Sequence, residues 1–158
     1  MAILVASLVL LAACAQSPVA PDGMTVAAIG PAHVLAEEGH EGSQVVWGGR
    51  IVSVRNMAGH SELTVISLPL DRGDRPRVNA EPGVRFMVIE DGFIEPMQFA
   101  PGRFVTVLGR VEGIAEHQVG EYLYDHPLIQ AETLHLWPLD QTEWRTSPRF
   151  NIGVGIRL

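Results

Sequence analysis

Between Gln44 and Pro138 short β-branched and aromatic runs are cut apart by glycine, proline and asparagine, a punctuation that restricts the chain to short strands joined by tight turns. The first predicted strand is Val45-Val46-Trp47-Gly48-Gly49-Arg50-Ile51-Val52-Ser53-Val54-Arg55, and its glycine pair predicts a bulge or sharp bend that curls a sheet. Asn56 to Ser61 makes the following turn. A second strand over Leu63 to Leu70 places Ile66, Leu68 and Leu70 on one face, because side chains alternate along a strand. After a polar loop from Asp71 to Ala80, Glu81-Pro82-Gly83 has the order of a type II turn. Val84 to Glu90 is the third strand, and an irregular connector runs from Asp91 to Gly102. Arg103 to Val111 is the fourth, with Val105, Val107, Gly109 and Val111 on one face. Gly113 to Val119 reads as loop. Leu128 to Trp137 is the fifth extended segment, preceded by Tyr122-Leu123-Tyr124-Asp125-His126-Pro127. Five short strands in this order predict an all-β, OB-like barrel, closed or partly open, and closure removes the exposed edges on which small sheets aggregate.

The N-terminus carries different information. An apolar run from Ala2 to Leu11 leads into Leu11-Ala12-Ala13-Cys14, and Cys14 is the only cysteine. A transmembrane helix needs roughly 20 apolar residues to cross about 30 Å of hydrocarbon, so this run fits a signal h-region with small residues ahead of a cleavage point. The pattern resembles the lipobox of bacterial lipoproteins. That resemblance implies cleavage between Ala13 and Cys14, a diacylglycerol on the Cys14 thiol and an N-acyl chain on the new amino end, with no other cofactor. One myristoyl chain gives only reversible binding, whereas each buried methylene is worth about 0.8 kcal/mol, so three chains hold permanently. Ala15, where an aspartate favours retention in the inner membrane of such lipoproteins, implies the outer membrane, facing the periplasm. No Lys or Arg precedes Ala2, as expected of a leader whose start lies further upstream.

The expected organisation is a leader over 1–13, a lipidated flexible tether over 14–41, a β domain over 42–139 and a tail over 140–158. Pro18, Pro21, Pro31, Gly23 and Gly30 oppose regular structure in the tether, apart from a short helical possibility at His33 to Glu38. The tail alternates glycine with Ile152, Val154 and Ile156, and is expected to dock only through Trp144 and Phe150. A formal charge of −7, with eleven arginines and no lysine, argues against nucleic-acid partners, whose affinity depends on clustered cations.

Val46-Trp47-Gly48-Gly49-Arg50-Ile51, Leu68-Pro69-Leu70-Asp71, Arg75-Pro76, Gly92-Phe93-Ile94-Glu95-Pro96, Gly102-Arg103-Phe104-Val105-Thr106-Val107-Leu108-Gly109 and Trp137 together resemble the Slp family, the starvation-inducible outer-membrane lipoproteins of Gram-negative bacteria. The likeness covers Gly42 to Pro138, and the lipobox agrees with it independently. It implies a starvation- or stress-linked outer-membrane lipoprotein and brings no catalytic or binding residues with it. The missing basic n-region and the glycine-rich end depart from the family.

Chemistry-bearing residues are few. His33, His40, His60, His117, His126 and His135 lack the paired spacing of a zinc site, so no metal site is expected, and His33 and His40 with Glu37 or Glu41 are the weak alternative. Glu90, Asp91 and Glu95 gather around Gly92, where a carboxylate pair could serve acid–base catalysis in a hydrolase; solvation at a strand exit is the plainer account. Ser61 lacks a nucleophile elbow. Trp47, Tyr122, Tyr124 and Trp137 are expected chiefly to pack in the core, where they supply most of the large buried area; Trp47, Tyr122 and Tyr124 are the candidate ligand-binding residues in the alternative, since aromatics on an OB face stack sugars or bases. Arg50, Arg103 and Arg110 are expected to pair with the acidic excess. The chain therefore reads as a non-catalytic structural or interaction module tied to the outer membrane, its partner an envelope protein or the cell wall, and alternatively as a periplasmic module binding glycan or peptide.

Overall fold

The computed structural model describes residues 16–145. Five strands, β1 (Gln44–Asn56), β2 (His60–Ser67), β3 (Arg85–Asp91), β4 (Phe104–Val119) and β5 (Tyr122–Leu136), close into a barrel in the order β1-β2-β3-β5-β4. Every neighbouring pair is antiparallel except β3 with β5. This is the expected OB-like architecture.

The interior is filled by alternate residues of each strand. Val45, Trp47 and Ile51 from β1, Leu63 and Val65 from β2, Phe86 and Val88 from β3, Val105, Val107 and Val111 from β4, and Ile129 from β5 form one cluster. Each such aliphatic or aromatic side chain contributes about 1.5–3 kcal/mol on burial. The second strand differs from expectation: Leu63 and Val65 face inward while Ile66 lies on the other face, and the strand stops at Ser67. Leu70 makes only an isolated bridge to Pro76.

Gly48-Gly49 marks where β1 hands over from one partner to the other. Gln44–Arg50 pair with β4, and Gly49–Asn56 pair with β2. A side chain at Gly49 would overlap the carbonyl oxygen of Ile66, and one at Gly48 would come within 2.7 Å of the Val105 carbonyl oxygen. The glycines thus permit close backbone approach, and the register shift predicted there falls instead between Ile51 and Ser53.

The segment expected to be a flexible tether meets the barrel at several points, with Val19 and Val34 buried, while Pro21 to Thr25 and Glu37 to Gly39 are exposed. Helix α1 (Pro31–Ala36) begins with proline at its first turn, where a missing N–H costs nothing, and inserts Val34 into the core. Trp47 donates its indole N–H to the Ile29 carbonyl at 2.7 Å, and Ala27 N–H donates to Gln44 O at 2.8 Å. Further back, Ser17 to Met24 crosses the outside of β4 and β5, beside Leu108, Glu132 and Thr133. Apolar side chains and a few backbone bonds fix a chain that local propensity alone leaves irregular.

A 3-10 turn at Gln141–Arg145 follows β5. Trp144 is buried, its ring 5.1 Å from Trp137 and 5.4 Å from Phe104, with its indole N–H on the Pro138 carbonyl. Phe150 and the glycine-rich run lie outside the described residues. Among those described, no helix is long and apolar enough to cross a membrane.

Candidate functional site

The stretch expected to be a loop, Gly113 to Val119, is strand, and with Tyr122–Pro127 it forms a hairpin arm that leaves the barrel. Two local features release it. The register shifts between Val111 and Gly113, and Gly113 takes a φ of +128° that favours glycine. Across from it, Pro127 has no N–H to offer a third strand, and the pairing of β5 with β3 starts only at the next residue, with Met87 opposite Leu128. From Ile114 opposite Pro127 to Val119 opposite Tyr122 the sheet is two-stranded, closed by a turn at Gly120-Glu121 with Gly120 at φ +63°.

Cross-strand partners share a face, so the arm has two. Ala115, His117 and Val119 lie with His126, Tyr124 and Tyr122 on one; Ile114, Glu116 and Gln118 lie with Pro127, Asp125 and Leu123 on the other. Large apolar and aromatic side chains are exposed at the tip. Tyr122 is 70% exposed, Leu123 67% and Tyr124 51%. The tyrosine rings stand 6.2 Å apart at 46° to each other. Beneath them runs an open groove of about 400 Å³ lined by Leu35, Val84, Arg85, Val119, Tyr124, Asp125 and His126. His126 is buried, with Nδ1 2.9 Å from the Tyr124 carbonyl oxygen and its ring edge-on to His117 at 5.6 Å.

The candidate trio is not one site. Tyr122 and Tyr124 come together, whereas Trp47, 3% exposed, sits in the core with its ring edge-on to Phe86 at 5.3 Å and its N–H already bonded to Ile29. Its place opposite Val107 lies along β4 from the tip at Val119. Ala13 and Cys14 lie outside the described residues. Leu123, Ile114, Leu35, Arg85 and His126 belong to the arm and groove and were not singled out by sequence; the signal for the tip was the pair of tyrosines two apart just after Gly120.

Nothing resembling a catalytic set assembles among the described residues. Ser61 is buried, its one hydroxyl proton shared between the Gly92 carbonyl and Asn56 Oδ1 while its oxygen accepts from Ile94 N–H, so it fastens the connector to the barrel. Asn56 completes that clasp by donating to the Ile94 carbonyl and accepting from Ile94 N–H. Burial, then the neighbouring Asp91 charge, raises the Glu90 carboxyl above the ordinary carboxylate range, and its Oε2 is buried without a partner. Glu95 turns away to accept from Met97 N–H. Burial lowers His135, whose ring packs against Trp137 at 4.5 Å. His33 accepts from Gly30 N–H and His40 stands 3.7 Å from Glu37. Among the described residues no three His, Cys, Asp or Glu gather to hold a metal. Of the arginines expected to meet acids, only Arg110 does, 3.0 Å from Glu132. Arg50 lies over the Phe104 ring, and Arg103 donates to the carbonyls of Gln98 and Trp137.

The family described as outer membrane lipoprotein Slp matches residues 11–152. Similar curated proteins include the uncharacterized lipoprotein YeaY of Escherichia coli K12, 31% identical over 100 residues, which are 63% of this chain and 51% of that protein. Outer membrane protein Slp of the same strain is 25% identical over 114 residues, 72% of this chain and 60% of the relative. The chain spans about half the length of the first curated relatives it matches. Among solved structures, the small single-stranded DNA-binding protein from Streptomyces coelicolor aligns over 65% of this chain and 97% of its own, with 17% identity and a TM-score of 0.36.

Proposed function

This chain belongs to the outer membrane lipoprotein Slp family, and from that premise we propose that it is a non-catalytic interaction module, anchored by acyl chains on Cys14 at the periplasmic face of the outer membrane, that holds an envelope partner on its projecting hairpin. The observation that carries this reading is the exposed pair Tyr122 and Tyr124 on one face at the tip of a two-stranded arm, with exposed Leu123 on the face behind them. A two-stranded ribbon is marginal by itself in water, and a partner would cover its apolar tip. Tyrosine is well suited to such contact, giving large area at low entropic cost together with a polar tip. The arm's long edges also suit an extended segment that adds as a further strand. The family likeness favours deployment in starvation or stress.

A photoreactive residue in place of Leu123, activated in starved cells, tests this. The expected result is one dominant protein adduct that disappears when Tyr122→Ser and Tyr124→Ser are combined; diffuse adducts insensitive to that change contradict it. The adjacent, tilted tyrosine rings favour a second reading, in which they stack on the sugar faces of cell-wall glycan or on a peptide. Titration of the protein with muropeptides separates the two, because only the second expects the Tyr122→Ser, Tyr124→Ser variant to lose saturable binding.

A further inference from the structure

If Cys14 is acylated as proposed above, the structure fixes more than attachment. Two residue steps separate Cys14 from Gln16, the first described residue, a reach of roughly 7 Å. From Gln16 onward the chain is tied down. Gln16 Nε2 donates to Asp22 Oδ2 at 2.7 Å, and Ser17 Oγ accepts from the N–H groups of Val19 and Ala20. Val19 is buried against the barrel, and Leu108, outside the inner cluster, is only 3% exposed beside the strap that includes it. At that reach Gln16, and the side of the barrel on which Val19 is buried, stay near the acylated terminus.

The same side of the barrel carries the loop after β2. Thr106 donates from its hydroxyl to the Asp74 carbonyl, and the Ser17 hydroxyl stands beside the Asp74 carboxyl, so strap and loop adjoin. Within the loop, Asp71 accepts from Arg75 Nε at 2.8 Å and from the N–H groups of Gly73 and Arg75, which neutralises Arg75. Arg72 and Arg77 are exposed and have no ion pair among the described residues. On a chain of net charge −7, a membrane carrying anionic lipid repels most of the surface. The strap and loop together are formally neutral, Asp22, Asp71 and Asp74 balancing Arg72, Arg75 and Arg77, so this surface is repelled less than the acidic chain as a whole, and the exposed Arg72 and Arg77 can each take a phosphate as a bidentate partner.

We propose that the barrel lies directly on the leaflet holding its anchor, with the Ser17–Met24 strap and the Asp71–Arg77 loop as its lipid-facing surface and Arg72 and Arg77 meeting anionic headgroup phosphates. The β2–β3 wall, across the barrel ring from β4, then faces away from the bilayer.

The test uses the full-length acylated protein in phosphatidylethanolamine vesicles made with or without phosphatidylglycerol. Acylation occupies the natural thiol, so Met24→Cys and Ile89→Cys each give one reactive site for a fluorophore, one on the strap and one on the β3 wall. Headgroup-attached spin labels are expected to quench the label at 24 several-fold more than that at 89. A flexible Gly/Ser linker of about ten residues after Ala15, spanning roughly 17 Å on average, should bring the two signals together. Combining Arg72→Glu with Arg77→Glu should lower quenching at 24 only where phosphatidylglycerol is present. Equal quenching of the two labels in an acylated chain overturns the lipid-facing surface while leaving the anchor intact. Absence of acyl mass on the purified chain overturns both.

Discussion

Replacing Trp47 by phenylalanine separates a structural indole from a ligand-binding one. The substitution removes the donor to the Ile29 carbonyl at 2.7 Å, and stranding a partly buried carbonyl costs about 1–3 kcal/mol. The smaller ring also leaves a void beside Phe86, whose ring packs edge-on against Trp47; complete truncation of such a side chain costs about 3–5 kcal/mol, so the partial loss is worth about 1–2. Together these give about 2–5 kcal/mol. For a domain of this size, intermediate in the usual scaling, Tm should fall by about 8–20 °C, followed by near-ultraviolet circular dichroism in the full-length protein. Because the lost bond holds the residues ahead of α1, limited proteolysis should also open new cleavage between Gln16 and Ile29. A variant that melts within about 2 °C of the parent, with no new cleavage, would refute the docked N-terminal segment and return Trp47 to the candidate ligand residues.

Gly49→Ala should cost upwards of 3 kcal/mol and yield mostly insoluble protein, because the added methyl overlaps the Ile66 carbonyl where β1 changes partners; a soluble variant of unchanged Tm would contradict that account of the glycine pair. Glu90→Gln should alter the pH dependence of stability. Since the folded carboxyl is raised above its unfolded value by burial and by Asp91, its favourable contribution is complete below the unfolded pKa and is lost as pH rises through the folded one. Chemical denaturation from pH 3 upward should therefore find the parent losing stability relative to the variant with rising pH, and parallel curves would sink the argument. Combining Tyr122→Ser with Tyr124→Ser should leave Tm within about 3 °C, since exposed side chains are worth less than about 0.5 kcal/mol each, while abolishing the crosslink through Leu123; a large loss of stability would mean that the tip is packed rather than offered.

The barrel was legible because its strands carry their own period. Val105, Val107 and Val111 alternate inward, and Glu81-Pro82-Gly83 and Pro101-Gly102 punctuate the chain where the strands break. The arm was not, for a physical reason: beyond Val111 the inward face leaves the closed core and is only half-buried, so Gly113, Ala115, His117 and Val119 occupy it without an apolar period, and Pro127 argues locally against a strand although it occupies an edge. The docked N-terminal segment was hidden for the opposite reason. Pro18, Pro21 and Gly23 correctly predict irregular backbone, yet irregular is not free, and what fixes this segment is the distant surface around Leu108 and Trp47. The tyrosine pair was legible as a candidate, whereas Leu35, Arg85 and His126 beneath it come together only through the fold.

Intact mass of the protein extracted from outer-membrane fractions measures the acyl anchor on Cys14 directly. The expected species begins at Cys14 and carries a diacylglycerol and one further acyl chain, and Cys14→Ala leaves the membrane fraction. A chain recovered from those membranes with its leader intact and no added acyl mass would contradict it.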